Sequence, residues 1–274
     1  MLPLTINENS NFSIPEEWNE LTGAQLLAIA PILLSRNFTE ENKAFIAYHV
    51  CNMNGQLFNA KELSSNNPFE YFGEKVKQHI LPHLNFLFGE ILLTKQLLPT
   101  ITVSARTMPW VSTKKLYGFG DNFDTLTIAE FSDTESCLKN YEESKQEIWL
   151  NRFLAILYRP KSKIENTDLE FTGDHRQPYN IHLNDTLAKS FTDIPYAMKA
   201  AITINYVGCL NVLAKENRFL FTKSNAQTAQ SGTWADVIHE LAGQKFGTIE
   251  QTEKAYLKVV IKELFINHQK QALC

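Results

Sequence analysis

The densest group of residues that could do chemistry is Gly173-Asp174-His175-Arg176. An adjacent carboxylate and imidazole can act as an acid–base pair, and a neighbouring guanidinium can bind an anion. A second interpretation makes the segment a loop, in which Asp174 turns the chain and Arg176 pairs with a carboxylate or a carbonyl. We favour the loop, because no third group close in the sequence orients the acid–base pair.

Two histidine patterns approach metal-binding spacing and remain incomplete. His239-Glu240 resembles the start of a metalloprotease helix, but the second histidine would fall where the chain has Gly243. Zinc in that motif requires two imidazoles one helical turn apart. His79 and His83 have this spacing, yet Pro82 disturbs the helix and no carboxylate or cysteine nearby completes a ligand set. We therefore expect no metal site.

Glycine and cysteine patterns give no cofactor signal either. The segment from Tyr117 to Asp121 has two glycines but lacks the third glycine and the preceding strand of a dinucleotide-binding loop. The four cysteines are far apart and form no C-x-x-C pair, which disfavours a disulfide framework or a zinc site. From these patterns we expect a protein that is not an enzyme and that holds no cofactor.

Charge and hydropathy limit which partners and which cellular compartment we expect for the chain. The net charge is −4 and the isoelectric point about 6.0, which gives no electrostatic argument for nucleic acid as a partner. Residues 1–12 lack the apolar core of a signal peptide, and apolar stretches such as residues 26–34 are far short of a membrane span. We expect a soluble, cytoplasmic protein that does not enter a membrane.

Helix-start signals recur along the chain and predict a mainly α, multi-helix fold. Thr127 with Glu130 forms a capping box, Thr248 with Gln251 forms a second one, and Pro195 suits a first helical turn. A helix that starts near Leu21 contains Pro31, which predicts a kink or a break. Further helices are predicted over residues 39–53, 127–144, 146–158, 193–214 and 233–244, and from residue 248 onward.

The spacing of these helices predicts two helical sub-domains. Pro109, Gly118 and Gly120 lie in a segment without an amphipathic pattern, which suggests a boundary there. The predicted organisation is an extended N-terminal arm (1–17), an N-terminal helical sub-domain (18–103) with a short extended segment near residues 92–103, a linker (104–124) and a C-terminal helical sub-domain (125–274).

An apolar stripe on the last predicted helix includes Tyr256, Val260 and Leu264, and Trp234 opens the helix before it. Such stripes are normally buried in the core of the same chain. They can also bind a second protein, and an oligomer of this chain is compatible with the same pattern. We take these four residues as the candidate partner-binding residues.

Three segments carry a resemblance to known proteins. They are Trp18-Asn19-Glu20-Leu21-Thr22, the pair LTIAEF (126–131) and LAILYRP (154–160), and the stretch from Trp234 through Phe246-Gly247-Thr248 to the end of the chain. Together they resemble a poorly characterised family carried in prophage-like regions of bacterial genomes. The pair LTIAEF and LAILYRP is more loosely similar to phage tail assembly chaperones.

The resemblance to these chaperones implies a helical cytosolic protein that coats the tape-measure protein until the tail tube polymerises. It implies no catalytic residues. Our hypothesis is a tail assembly chaperone whose partner is a tail or virion protein. The alternatives are a structural component of the virion (a connector or capsid-associated subunit), an enzyme that uses Asp174, His175 and Arg176, and a helical adaptor without a viral link.

Overall fold

The structure of the chain is a computed structural model. It describes residues 2–5, 11–52, 80–105, 112–164, 168, 171–221, 233–243 and 245–272.

The described residues form a mainly α fold, which confirms the predicted fold class. Four short strands make two antiparallel hairpins: β1 (Leu2–Thr5) pairs with β2 (Asn11–Ile14), and β3 (Thr100–Ala105) pairs with β4 (Ser112–Tyr117). The helices in chain order are α1 (Gly23–Ser35), α2 (Glu40–Asn52), α3 (Asn85–Phe88), α4 (Ile128–Ser144), α5 (Glu147–Leu157), α6 (Ile181–Ala188), α7 (Tyr196–Glu216), α8 (Arg218–Phe221), α9 (Trp234–Leu241), α10 (Ile249–Glu253) and α11 (Leu257–Ala272). Short 3-10 turns cover Trp18–Glu20, Leu81–Leu84, Asp121–Phe123 and Lys189–Phe191.

The chain divides into two compact units, each built from two separate segments. The first unit comprises Met1–Leu97 and Pro195–Val212, and the second comprises Leu98–Ile194 and Leu213–Cys274. This division differs from the predicted boundary at residues 104–124. Within that segment, the described residues 112–117 form strand β4, which pairs with β3, and Phe119 and Phe123 are buried in the second unit.

In the first unit, Thr22 and Gln25 form a capping box at the start of α1, and the side chain of Gln25 also reaches α2. Gln25 Nε2 donates to the carbonyl oxygen of Val50 at 2.6 Å. The predicted break at Pro31 does not occur, and α1 runs on to Ser35. Its buried face includes Ile29 and Leu33, on either side of the proline, so packing holds both halves of the helix.

The extended segment predicted near residues 92–103 has two parts. Only its end belongs to a strand, since β3 begins at Thr100. The earlier part follows no regular pattern, and two asparagine side chains bind its backbone. Asn205 Nδ2 donates to the carbonyls of Leu93 (3.3 Å) and Lys95 (3.0 Å), and Asn19 Oδ1 accepts from the amides of Thr94 and Lys95 (3.0 Å each).

In the second unit, α4 and α5 are the two helices that the sequence predicts over residues 127–144 and 146–158, and they pack against each other. The predicted last helix is divided into α10 and α11. The backbone at residues 255–257 leaves the helix because it pairs with the start of α4: the Ile128 amide donates to Ala255 O (2.9 Å), and the Leu257 amide donates to Leu126 O (2.8 Å). Helix α6 was not predicted from the sequence.

Helix α7 is longer than the apolar stretches from which we expected no membrane span. Within the described residues it is the one helix that is long and apolar enough to cross a membrane, and 61% of that apolar window is buried inside the protein. A buried core helix meets the same criterion, so length and composition alone do not indicate a span.

The N-terminal arm (1–17) contains the β1–β2 hairpin. The sequence also predicts short helical pieces between residues 60 and 88 and a flexible connector at residues 225–232. Residues 60–79 and 225–232 lie outside the described residues, whereas residues 81–88 form a 3-10 turn and α3.

Candidate functional site

Asp174 and Arg176, the outer members of the polar triplet, bind each other. Arg176 Nε lies 2.9 Å from Asp174 Oδ1, and Arg176 Nη2 lies 2.9 Å from Asp174 Oδ2. The backbone amide of Arg176 also donates to Asp174 Oδ1 at 2.9 Å, which closes a turn around the carboxylate. This geometry is that of the loop interpretation, in which Asp174 turns the chain and Arg176 pairs with a carboxylate.

The guanidinium of Arg176 reaches a second carboxylate, which belongs to the cap of α4. Arg176 Nη2 lies 3.2 Å from Glu130 Oε2, and Arg159 Nη2 contacts Glu130 Oε1. The side chain of Glu130 is only 1% exposed. Glu130 Oε2 also accepts the backbone amide of Thr127 at 3.0 Å, as the capping box requires. One carboxylate therefore caps a helix and pairs with two buried cations.

The remaining donors of the two arginines bind backbone carbonyls at the end of α5 and nearby. Arg159 Nη1 donates to Ile156 O at 2.5 Å, and Arg176 Nη1 donates to Leu157 O at 3.1 Å. Carbonyls in the last turn of a helix have no partner within the helix. Arg159 Nε donates to Gln177 O (2.7 Å), and Arg176 Nη2 donates to Thr125 O (2.9 Å). We call Glu130, Arg159, Asp174 and Arg176 the buried ion-pair cluster.

Two opposing effects act on the arginine pKa values in this cluster. Burial lowers the pKa of Arg159, and its neighbour Arg176 lowers it further, against the attraction of Glu130. For Arg176, burial also acts to lower the pKa, but Glu130 and Asp174 together raise it. A guanidinium starts so far above neutral pH that both stay charged. The cluster thus holds two cations and two anions and suits a structural role.

Tyr179 extends the cluster toward α4. Its hydroxyl donates to Asp133 Oδ2 at 2.5 Å, and the guanidinium carbon of Arg159 lies 5.7 Å from the centre of its ring. Burial raises the pKa of Asp133, although the hydrogen bond from Tyr179 acts in the opposite direction. Burial and the neighbouring Asp133 raise the pKa of Tyr179 as well, so the phenol remains a donor. The loop before α6 is therefore attached to α4.

His175 lies apart from the cluster. It is exposed, and its ring centre is 5.1 Å from that of Phe171 and 6.5 Å from that of Tyr117. Within the described part of the chain, no side-chain hydrogen bond joins His175 to Asp174. A general base needs to lie within hydrogen-bond reach of its orienting group. The structure thus brings Asp174 and Arg176 together and leaves out the imidazole.

The four candidate partner-binding residues face the interior of the second unit to different degrees. Val260 is fully buried, which makes it a core residue and unavailable to a partner in this conformation. Tyr256 is half-buried in the backbone bridge to Thr127, and Leu264 is half-buried. Trp234 is half-buried, and its ring packs edge-on against Phe131 with the ring centres 4.9 Å apart. The predicted stripe is therefore the inner face of α11.

Other chemistry-bearing side chains are placed as follows. Cys51, Cys137 and Cys209 are buried and form no disulfide with one another, and burial raises the pKa of the Cys51 and Cys137 thiols to about 12. Thiols in that state are poor nucleophiles. Among the described residues, no group of three or more His, Cys, Asp or Glu side chains is placed to hold a metal ion. His79 lies outside the described residues.

Two members of the cluster, Glu130 and Arg159, are not among the site residues that the sequence predicts. The sequence indicates Glu130 only as a helix cap. A signal for Arg159 exists, because it is a cation two residues after α5, which is apolar almost all round. Comparisons of the chain with protein-family models, with curated proteins and with solved structures found no match.

Proposed function

We propose that this chain is a non-enzymatic morphogenesis protein of a phage or phage-like particle, and that it acts in the host cytoplasm as a tail assembly chaperone for a helical partner of the tape-measure type. The observation that carries the proposal is how the polar residues are used. Asp174 and Arg176, the best candidates for chemistry, bind each other, and Arg176 also binds Glu130 and the end of α5.

The resemblance noted in the sequence supports the same proposal. Glu130 lies in the segment LTIAEF and Arg159 lies in LAILYRP, and the two side chains are in contact. The two segments that loosely resemble tail assembly chaperones contribute the cap of α4 and the buried ion pair between Glu130 and Arg159. A similarity at such positions favours a common helical framework, on which partner binding depends.

The described surface also favours protein binding. Large apolar side chains stand exposed on several helices, where a partner protein can cover them. These residues are Ile148, Ile181, Leu183, Tyr196, Ile249, Val259 and Phe265.

Affinity purification of the tagged chain from cells that carry its native gene cluster tests the proposal. We expect a long helical tail protein to copurify in stoichiometric amounts. The control is an unrelated helical protein with the same tag, expressed from the same locus. Purification without any tail or virion protein would overturn the proposal.

The structural alternative within this class differs in the fate of the protein. A connector or capsid-associated subunit stays in the mature particle, whereas a chaperone is released when its partner assembles. Mass spectrometry of purified particles separates the two: we expect the chain to be absent from particles and present in the lysate at the time of assembly.

The enzyme alternative depends on His175, the exposed member of the triplet. His175→Ala removes the imidazole that follows Asp174 in the chain and leaves the buried ion-pair cluster intact. We expect this variant to support particle formation at the level of the unmodified chain. Loss of particles with an intact fold would favour the enzyme.

A further inference from the structure

Helix α11 carries apolar residues on two faces. Its inner face, with Leu257, Val260 and Ile261, is buried in the second unit. A second row follows at intervals of three, three and four residues and is exposed along its whole length. Within this row, Val259 is 53% exposed and Phe265 is 43% exposed. We call this row the outer stripe; it consists of Val259, Lys262, Phe265 and Gln269.

Neighbouring rings hold the aromatic member of the outer stripe in place. The ring centre of Phe219, on α8, lies 5.4 Å from that of Phe265 in an edge-to-face arrangement. The same Phe219 ring lies 5.2 Å from the ring of His268. An exposed phenylalanine that is already fixed by its neighbours loses little conformational entropy when a partner covers it.

The charge around the outer stripe is opposite in sign to that of the whole chain. Helix α11 has three lysines and one glutamate, whereas the chain has a net charge of −4. The glutamate, Glu263, is only 11% exposed and is paired with Lys245. Lys258 is paired with Asp124. Lys262, between Val259 and Phe265, forms no ion pair with the described residues and presents a free cation at the centre of the stripe.

We infer that the outer stripe and Phe219 bind an amphipathic helix of a partner protein, with an apolar row flanked by Asp and Glu. This inference rests on the proposed function and specifies its binding surface. Exposed residues three or four positions apart match the anchors of one helix laid along another. The free Lys262 selects an acidic partner, because a carboxylate beside it gains an ion pair and a lysine beside it is repelled.

A designed peptide tests the inference with the full-length chain. The probe is a fluorescent helix of about 20 residues, with leucines at i, i+3, i+4 and i+7 and glutamates beside them. Its matched control has lysine in place of every glutamate. Fluorescence anisotropy measures both dissociation constants. We expect the acidic peptide to bind at least about tenfold more tightly than the basic one.

Variants locate the binding surface. Val259→Ser with Phe265→Ser removes the apolar part of the outer stripe and should weaken binding of the acidic peptide by about tenfold or more. Lys262→Glu should reverse the preference between the two peptides. The matched control is Ile181→Ser with Leu183→Ser, which removes two equally exposed apolar residues from α6 and should leave binding unchanged. Circular dichroism confirms that each variant is folded.

Several results would overturn the inference. These are equal binding of the two peptides, binding that the outer-stripe variants do not weaken, and an effect of those variants on self-association or on binding to anionic vesicles but not on peptide binding.

Particle formation separates this inference from the proposed function. Outer-stripe variants that lose peptide binding but assemble particles normally count against the proposed function. A chain that copurifies with a tail protein even when the stripe is removed counts against the stripe alone.

Discussion

Helices α4 and α9 begin in the same way and end up in opposite environments. Thr127 and Glu130 close one capping box, and Thr233 and Asp236 close the other, with the same reciprocal bonds between side chains and backbone amides. Glu130 is buried between Arg159 and Arg176. Asp236 is exposed, and its only bonds in the described part of the chain are to Thr233.

The difference shows that a local signal and a tertiary role are separate properties of one residue. Both acids satisfy amides of a first helical turn, and both are favoured there by the helix dipole. Only Glu130 has a second role, because two cations from distant parts of the chain converge on it. Substitutions of each acid and of its neighbours measure how much of its contribution to the free energy of unfolding comes from the helix cap alone.

The largest effect is expected for Glu130→Ala. The substitution leaves two buried guanidiniums without their shared anion, which should lower the free energy of unfolding by about 3–5 kcal/mol. Asp236→Ala should produce a much smaller change, because water replaces the carboxylate. Urea denaturation followed by circular dichroism gives both values. Equal changes for the two variants would mean that the buried cluster contributes nothing beyond the cap.

Gly208→Ala in α7 of the first unit tests the distinction between local helix propensity and tertiary contacts at a position inside a helix. Local propensity alone predicts that alanine stabilises a helix interior by about 1 kcal/mol relative to glycine. A Cβ atom at Gly208, however, would lie 2.3 Å from the carbonyl oxygen of Leu93. We expect a destabilisation of about 1–3 kcal/mol instead, measured by urea denaturation.

The obstacle at Gly208 is backbone, so trimming the neighbouring side chain should not relieve it. Leu93→Ala combined with Gly208→Ala should therefore show additive losses in a double-mutant cycle. A stabilising Gly208→Ala would show that the segment at residues 93–95 moves away without cost.

Smaller effects are expected from the hydroxyls of the two caps. Thr127→Ala leaves the amide of Glu130 without its acceptor in a buried site, and Thr233→Ala leaves the amide of Asp236 facing water. Both losses should fall within about 0.5–2 kcal/mol, with Thr127→Ala near the upper end and Thr233→Ala near the lower end. Thermal unfolding monitored by circular dichroism ranks the two. The reverse order would contradict the role of burial.

The pH dependence of stability should have opposite signs at two aspartates. Burial raises the pKa of Asp133, so its favourable contribution is present in acid and is lost as the pH rises through that raised pKa. Bonds from Thr233 lower the pKa of Asp236, so its contribution is present above the ordinary aspartate pKa and is lost as the pH falls through the lowered pKa.

Asn substitutions isolate the two contributions. Relative to the unmodified chain, Asp133→Asn should gain stability as the pH rises from about 4 to 7, whereas Asp236→Asn should lose stability as the pH rises from about 2 to 4 and change little above that. Urea titrations at a series of pH values measure both differences. Parallel slopes for the two variants would show that burial does not set the protonation of Asp133.

Much of the helical framework could be predicted from short segments. Thr127 with Glu130 and Thr248 with Gln251 each mark a helix start that the structure contains, and Pro195 directly precedes α7. These signals succeed because a cap satisfies amides within a few residues of itself, so no distant part of the chain is needed. The ends of α4 and α5 are also close to those predicted.

The missed features all depend on distant partners. Strand β4 could not be predicted because no regular signal in the sequence marks its pairing with β3. Helix α6 is short and carries exposed Ile181 and Leu183, which gives it no apolar periodicity toward the core. The interruption before Leu257 has no local cause, since the backbone there is drawn out of the helix by residues 126–128.

In the candidate site, too, the local features could be predicted from the sequence and the contacts between distant residues could not. The sequence marked Asp174, His175 and Arg176 as a polar group and gave a loop as one interpretation, in which Arg176 pairs with a carboxylate. Which carboxylates it reaches could not be read from the chain, because Glu130 is 46 residues away from Arg176 in the sequence. The exclusion of His175 is likewise a matter of side-chain direction in the folded loop.

The sequence by itself determined where helices begin, that the chain is mainly α, and which polar residues cluster along it. Tertiary structure alone decided which cap became a buried ion pair, which face of α11 became core, and which face stayed outside. The physical reason is range: capping and helix periodicity act over three or four residues, whereas burial and charge neutralisation depend on groups that only folding brings into contact.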